Sequence, residues 1–365
     1  MAEPAIGRSV DELDTPALLV DLDVLDANIS RIAAACRSSG VGWRPHTKGV
    51  TVPAIAHRMI QAGAVGITCA KLDEAEAMAD AGLHDILIAN QVVGAHKIAR
   101  LVSLAARAMV IVAVDDPDQA AQLGAAARRA GILLQVIIEV DIGLHRAGVS
   151  PGAPVVELAR TIAREPGLEC LGVMGWEGHA AGIPDQGEKT LAITDAIHLL
   201  TDSAAACRAV GLSVGMVSCG GTGTYPTAVR EAGVTEIQAG GGVFSDVRYR
   251  TRLGVDHPYA LTVLTTVTSR PSTERIVCDA GKKTMSSDGA VPVPIGIGLV
   301  RSVMLSAEHT TIELEAPCLD PRVGAHLEFV IGQADTSVHL NDEMFGVRDR
   351  RVEVVWPVLA RARTR

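Results

Sequence analysis

The chain has 365 residues, 48 % of them hydrophobic, 21 % charged and only 2 % aromatic, with 33 basic residues against 42 acidic ones for a formal net charge of −9. This acidic balance, without a Lys/Arg cluster or rings to stack on bases, argues against nucleic acid. The mean hydropathy of +0.27 is spread over apolar runs that Asp, Gly, Arg or Pro break well before about 20 residues, too short to span a bilayer, so a small-molecule partner and no membrane are expected. The N-terminal MAEPAIGRSVDELDTP has no basic segment leading into an apolar one, which predicts a cytoplasmic protein. Seven cysteines, scattered and never spaced C-x-x-C, read as buried hydrophobes or free thiols.

In chain order, strand-like runs alternate with Ala-rich helical patterns from residue 17 to about 242: ALLVDLD, GWRPHTK, GITCA, DILIAN, MVIVAVD, LQVIIEV, ECLGVMGW, SVGMVSCG and TEIQAGG. Such βα repeats predict a parallel sheet with helices around it. Nine runs is one too many for a (β/α)8 barrel. The helical pattern DEAEAMADAG closes on Gly82, suited to a C-cap, and PGAPVVELARTIAREPG has Pro near its start and Gly at its end. After about residue 250 the texture becomes strand-like without Ala-rich helices: YALTVLTTVTS, RIVCDA, IGIGLVRSVML, TTIELEA, AHLEFVIG and RVEVVWPVL. If ALLVDLD joins that C-terminal sheet, eight runs remain. The predicted organisation is an α/β barrel over residues 24–250 and a β-domain from 1–23 plus 251–365.

In a (β/α)8 barrel the site lies at the C-terminal strand ends. Alternation along GWRPHTK puts Arg44, His46 and Lys48 on one face. The chain has only six lysines among 33 basic residues, and an amine desolvated at a barrel mouth has a lowered pKa and forms imines, which a guanidinium cannot. Lys71, after GITCA, is a rival. GGTGTY (Gly220 to Tyr225) and the GGVFSD that follows TEIQAGG come after the seventh and eighth barrel runs, where small residues let backbone N–H groups approach a phosphate. A phosphate site opposite a reactive lysine suggests pyridoxal 5′-phosphate. Arg146, in EVDIGLHRAGV, is placed to reach a ring substituent or to pair with Glu139 or Asp141. Trp176 could pack on a cofactor ring or fill the core, and Glu177 and His179 are the acid/base candidates.

At this point the sequence resembles the fold-type III pyridoxal-phosphate enzymes, within them the D-threonine aldolase and D-serine dehydratase group. The motifs are DTPALLVDLDVLDANI, RPHTKGVTVPAIA, GITCAKLDEAEAMADAG, DILIANQVVG, EVDIGLHRAGV, GGTGTY, EIQAGGGVFSD and VRDRRVEVVWPV, in order over nearly the whole chain. The resemblance implies an alanine-racemase-like (β/α)8 barrel with a C-terminal β-domain, a head-to-tail homodimer with sites at the interface, and Lys48 as the Schiff-base lysine. It also implies that Arg146 contacts the cofactor's phenolic oxygen, with backbone around Gly221, Thr222, Gly223 and Thr224 and around Gly241 and Gly242 holding the phosphate.

The chain departs from the family pattern in two places. Where relatives usually carry a His-Cys-Asp or His-x-Cys metal motif, it reads Gln333-Ala334-Asp335, leaving at most Asp335 and Gln333 oxygens for a divalent ion such as Mg2+ or Mn2+. The aldolases usually show Tyr-His-Gly and a further His where this chain has Trp176-Glu177-Gly178-His179-Ala180. The expected function is retro-aldol cleavage of D-3-hydroxy amino acids, with His179 or Glu177 as base and without the usual metal. The alternatives are a racemase or D-serine-type ammonia-lyase using Lys48 as one base, and a non-catalytic cofactor-binding protein.

Overall fold

The computed structural model describes residues 5–365; Met1–Pro4, with which the N-terminal segment and the β-domain of the sequence reading begin, lie outside the described residues. Two compact units make up the chain. One comprises Ser30–Lys48, Ile55–Gly240 and Arg363–Arg365, the other Met1–Ile29, Gly49–Ala54 and Gly241–Ala362. The surplus run of the sequence forms β1 (Ala17–Asp21), buried over its first four residues, and it pairs in the second unit's sheet.

The first unit holds eight parallel strands: β2 (Gly42–Trp43), β3 (Ile67–Cys69), β4 (Asp85–Gln91), β5 (Met109–Val114), β6 (Leu134–Glu139), β7 (Leu168–Met174), β8 (Met216–Cys219) and β9 (Glu236–Ile237), in the order β2-β9-β8-β7-β6-β5-β4-β3. The ring closes where the Thr68 N–H donates to Pro45 O at 2.9 Å and the Thr47 N–H to Thr68 O at 2.7 Å. The run GWRPHTK, expected as one strand, is regular only over Gly42–Trp43, and then touches its neighbour through a single bridge at His46. Pro45 has no N–H to donate to a ladder, which interrupts the strand there.

Period-two alternation gives the strands a layered face. Leu87, Ile111, Ala113, Ile137 and Met174 form one apolar cluster, none more than 4 % exposed. Cutting such a residue to Ala costs about 2–5 kcal/mol. At the N-terminal strand ends the same face turns ionic: buried Arg44 donates Nε–H to Glu236 Oε2 at 2.8 Å and pairs with Asp85. Arg44 therefore belongs to a structural ion pair, not to the strand-end group that includes Lys48. At the C-terminal ends come Lys48, Lys71, Gln91, Asp115, Glu139, Trp176 and Gly220. The helix over Leu72–Asp80 closes just before Gly82, whose φ of +90° suits glycine, and the helix over Ala153–Ala163 starts with Pro154 in its first turn.

The second unit is a nine-stranded, mostly antiparallel sheet. Its later strands are β10 (Leu261–Ser272), β11 (Arg275–Cys278), β12 (Val293–Pro294), β13 (Val300–Leu305), β14 (Thr310–Leu314), β15 (His326–Val330), β16 (Glu343–Arg348) and β17 (Arg351–Pro357). The main path is β13-β14-β11-β10-β1-β16-β17, with β15 also on β10 and β12 on β15. β1 lies antiparallel to β10 and parallel to β16. Val10, Leu13, Ala17, Leu19, Leu264 and Val352 pack as its core. All seven cysteines are unpaired, and no helix among the described residues is long and apolar enough to cross a membrane.

Candidate active site

Lys48 ends the β2 run, half-buried, with Nζ 5.5 Å from the centroid of the Trp176 ring. The Arg146 guanidinium lies 5.2 Å from the same centroid. Two cations on one indole are each stabilised by about 0.5–1 kcal/mol. Trp176 is 37 % exposed, so it is a surface of the mouth and not core. A Cβ at Gly221 would lie 2.8 Å from its Nε1, and one at Gly178 would lie 2.8 Å from its Cη2. Both glycines make room for the indole.

Arg146 is loosely paired with Glu139, Nη2 to Oε1 at 3.9 Å. Glu139 is fixed by the Gln91 amide at 2.6 Å, which also donates to Asp115 at 3.0 Å. Burial pushes the Glu139 carboxyl up. Asp141, the other partner weighed for Arg146, instead accepts the N–H groups of Gly143 and His145 and contacts His145 Nδ1 at 3.0 Å. Beneath Lys48, His46 Nδ1 accepts the Lys48 N–H at 3.4 Å; burial, then the Lys48 and Arg146 charges, hold this imidazole well below its ordinary range. It is neutral at pH 7.

Glu177 and His179 divide sharply. His179 is exposed, its ring against Gly143 Cα, where a side chain would come within 2.7 Å of Cε1. Glu177 is fully buried, against the expectation of an acid or base open to substrate. Its Oε1 accepts the Thr224 hydroxyl and its Oε2 the Gly220 N–H at 3.4 Å, while the Gly221 N–H donates to Thr224 Oγ1 at 2.9 Å. Burial raises its pKa. Glu177 is thus the brace of the 220–224 loop, and the Gly220 and Gly221 N–H groups expected to face a phosphate are spent inside that loop.

Lys71 caps the helix over Leu72–Asp80 with extended backbone and no side-chain cap bond. In the second unit, Gly241 opens a short turn against the Tyr249 hydroxyl, and Gly242 O meets His257 Nδ1 at 2.8 Å. Asp246 caps the helix over Val247–Leu253 and takes the Ala334 N–H at 2.8 Å, fixing the 333–335 segment; burial raises its carboxyl to about 6. The Asp335 carboxylate rests on Gly49, next in chain to Lys48, while Gln333 Oε1 and Arg248 Cδ converge on Gly289. Among the described residues no group of three or more His, Cys, Asp or Glu side chains converges on one point. One carboxylate and one amide oxygen do not make a transition-metal site. An aldehyde cofactor does fit: an amine at the strand end, a flat ring, a guanidinium and glycines that keep the approach open. Sequence reasoning missed Glu74, Gln91 and Asp246; only Glu74 left a signal, as an acid in a helix's first turn.

The alanine racemase N-terminal domain model matches residues 20–247, and a putative serine dehydratase domain model matches residues 260–347. A D-threonine aldolase from Arthrobacter sp is 33 % identical over 363 residues, 98 % of this chain and 96 % of that protein. A 3-hydroxy-D-aspartate aldolase from Paracoccus denitrificans (strain Pd 1222) is 34 % identical over 374 aligned positions, 99 % of this chain and 95 % of that one. The crystal structure of D-threonine aldolase from Filomicrobium marinum matches with a TM-score of 0.95 at 35 % identity, with 100 % of each chain covered. Likeness at this level runs through both units, and the chain belongs to the alanine racemase N-terminal domain family, continued by a serine dehydratase-like domain.

Proposed function

We propose that the protein is a pyridoxal-phosphate-dependent lyase that cleaves D-3-hydroxy amino acids between Cα and Cβ by a retro-aldol reaction. The observation that carries this reading is Lys48 Nζ 5.5 Å above Trp176, at the barrel mouth of a chain similar end to end to aldolases named for D-threonine and 3-hydroxy-D-aspartate. Lys48 would bind the cofactor's aldehyde carbon, Arg146 its phenolic oxygen and Trp176 its ring edge, with backbone of the 221–224 loop at its phosphate. Bound there, the cofactor supplies the electron sink for the bond broken at Cα.

The chain's own residues do the rest. The Gln91 amide, which also donates to Asp115, holds Glu139, and Glu139 aims Arg146. Neutral His46 adds no charge beside Lys48. His179 takes the proton of the substrate's 3-hydroxyl as the Cα–Cβ bond parts, a role buried Glu177 cannot fill. No step is assigned to a metal, since one carboxylate and one amide oxygen are a poor donor set for a transition metal. The proposal includes a cytoplasmic homodimer, which sedimentation of active enzyme tests.

Product analysis decides the reaction. Retro-aldol cleavage of D-threonine yields glycine and acetaldehyde; dehydration yields 2-oxobutanoate and ammonia; racemisation yields the epimer. Incubation with D-threonine, D-serine and their enantiomers is expected to give glycine and aldehyde from the D-3-hydroxy substrates. Ammonia or epimer instead would favour the ammonia-lyase or racemase, and no product at all a binding protein.

A further inference from the structure

Beneath the strand end that bears Lys48, the barrel unit encloses a carboxyl that the cleavage chemistry does not use. Glu74 is 3 % exposed and stands in the first turn of the helix over Leu72–Asp80. Its Oε2 accepts the Ala70 N–H at 2.7 Å, and the Lys71 N–H adds a second bond. These contacts satisfy the helix start, as an acid in a first turn ordinarily does. Its other oxygen, Oε1, is 2.6 Å from Thr47 Oγ1, on the residue before Lys48.

The hydrogen count at Thr47 is the informative point. A threonine hydroxyl has one hydrogen to donate. Thr47 Oγ1 also lies 3.0 Å from Thr68 O, a carbonyl that can only accept. If Glu74 were ionised, two acceptors would compete for that hydrogen; Thr68 O also takes the Thr47 N–H at 2.7 Å, but its 3.0 Å contact with Oγ1 would be left with no hydrogen between the two oxygens. The count closes if Glu74 carries a proton and donates to Thr47 Oγ1, while Thr47 donates to Thr68 O. Burial pushes the Glu74 carboxyl the same way, up to about 7.

Two titratable groups bear on the charge of Glu74. On β3, the Cys69 thiol is held well above its ordinary range by burial and stays neutral. On the β2 run, Lys48 is the one whose charge pulls the Glu74 proton off. We infer that Glu74 is a proton-holding positioning residue for Lys48: with its proton on, it locks Thr47, the residue before Lys48, and on ionising it places a negative charge beneath that strand end. The coupling to Lys48 rests on the cofactor-binding role proposed above, whereas the proton on Glu74 does not.

Infrared spectroscopy of the cofactor-free protein tests the proton. Subtracting the Glu74→Gln spectrum from wild type cancels the other buried carboxyls, Glu139, Glu177 and Asp246 among them. At pH 6 the difference is expected to show the C=O stretch of a protonated acid, lost as pH rises through about 7. Glu74→Asp, which displaces this stretch rather than removing it, serves if the Gln variant does not fold. No such stretch would overturn the inference. A pH titration of the bound cofactor's visible absorbance tests the coupling. Glu74→Gln removes an anion that favours charged Lys48, so the titration should move down by about one pH unit. Coincident curves would overturn the coupling. A missing visible band would overturn the Lys48 reading and the coupling together, with the infrared result still deciding the proton.

Discussion

Replacing Gly221 by Ala should weaken cofactor binding without unfolding the protein. Gly221 has no positive φ, so the change adds a methyl group and no backbone strain. That methyl would lie 2.8 Å from Trp176 Nε1 and 3.7 Å from Cδ1 and Cε2. Comfortable contact begins near 3.5 Å, so the indole must retreat by about 0.7 Å. Gly178 sits under the far end of the ring, which leaves movement toward solvent or toward Lys48 and Arg146. With 37 % of Trp176 exposed, the fold has little to lose, about 1 kcal/mol at most. A displacement of this size at the ring shared by both cofactor-facing cations should cost about tenfold in affinity, ~1.4 kcal/mol. The assay is equilibrium titration of cofactor-free protein with pyridoxal phosphate, followed by the visible band, with Trp emission and Tm alongside. Trp176→Phe, which lacks the colliding nitrogen, should restore much of the loss in the double variant. Wild-type affinity and emission in Gly221→Ala would refute the reasoning.

Glu236→Ala leaves the buried Arg44 guanidinium with only Asp85, and should lower unfolding stability by about 3–5 kcal/mol in denaturant titration; a loss below about 1 kcal/mol would contradict a closed ion pair. His179→Ala should keep the visible band and lower turnover by about 10²–10⁴. Glu177→Gln should do the reverse, loosening the 220–224 loop and cofactor binding first; an exchange of these two patterns would reassign the base. Chelation with EDTA should leave the rate within about twofold, since an amide and one carboxylate hold a transition metal poorly. Loss of activity restored by Mn2+ would make Gln333 and Asp335 ligands after all.

Much of the fold was legible because the signals are local. β-branched runs at βα spacing marked every barrel strand, and the surplus of one run sent ALLVDLD to the second sheet, where β1 lies. β16 was missed because Gly346 interrupts its apolar pattern; the glycine is there because a Cβ would come within 2.6 Å of Val354 Cγ1. Lys48 could be singled out because lysine is rare in this chain. Direction of burial was not legible. Glu177 and His179 are two residues apart at one strand end, yet one turns under the glycine loop and the other to the surface. No periodicity encodes that, because it depends on Thr224 arriving from 47 residues away to receive the carboxylate. The partners of the glycine loop were hidden for a related reason, since its Gly220 and Gly221 N–H groups are matched to Glu177 and Thr224, which spacing cannot reveal. Glu74 reads as an ordinary first-turn acid, and only the position of Thr47 shows its second contact.

Borohydride reduction of the cofactor-loaded protein, followed by peptide mapping, tests the central claim most directly. The account predicts loss of the visible band and a single pyridoxyl label on Lys48, with Lys48→Ala taking neither label nor band. Label on Lys71, or a band and label that persist in Lys48→Ala, would contradict it.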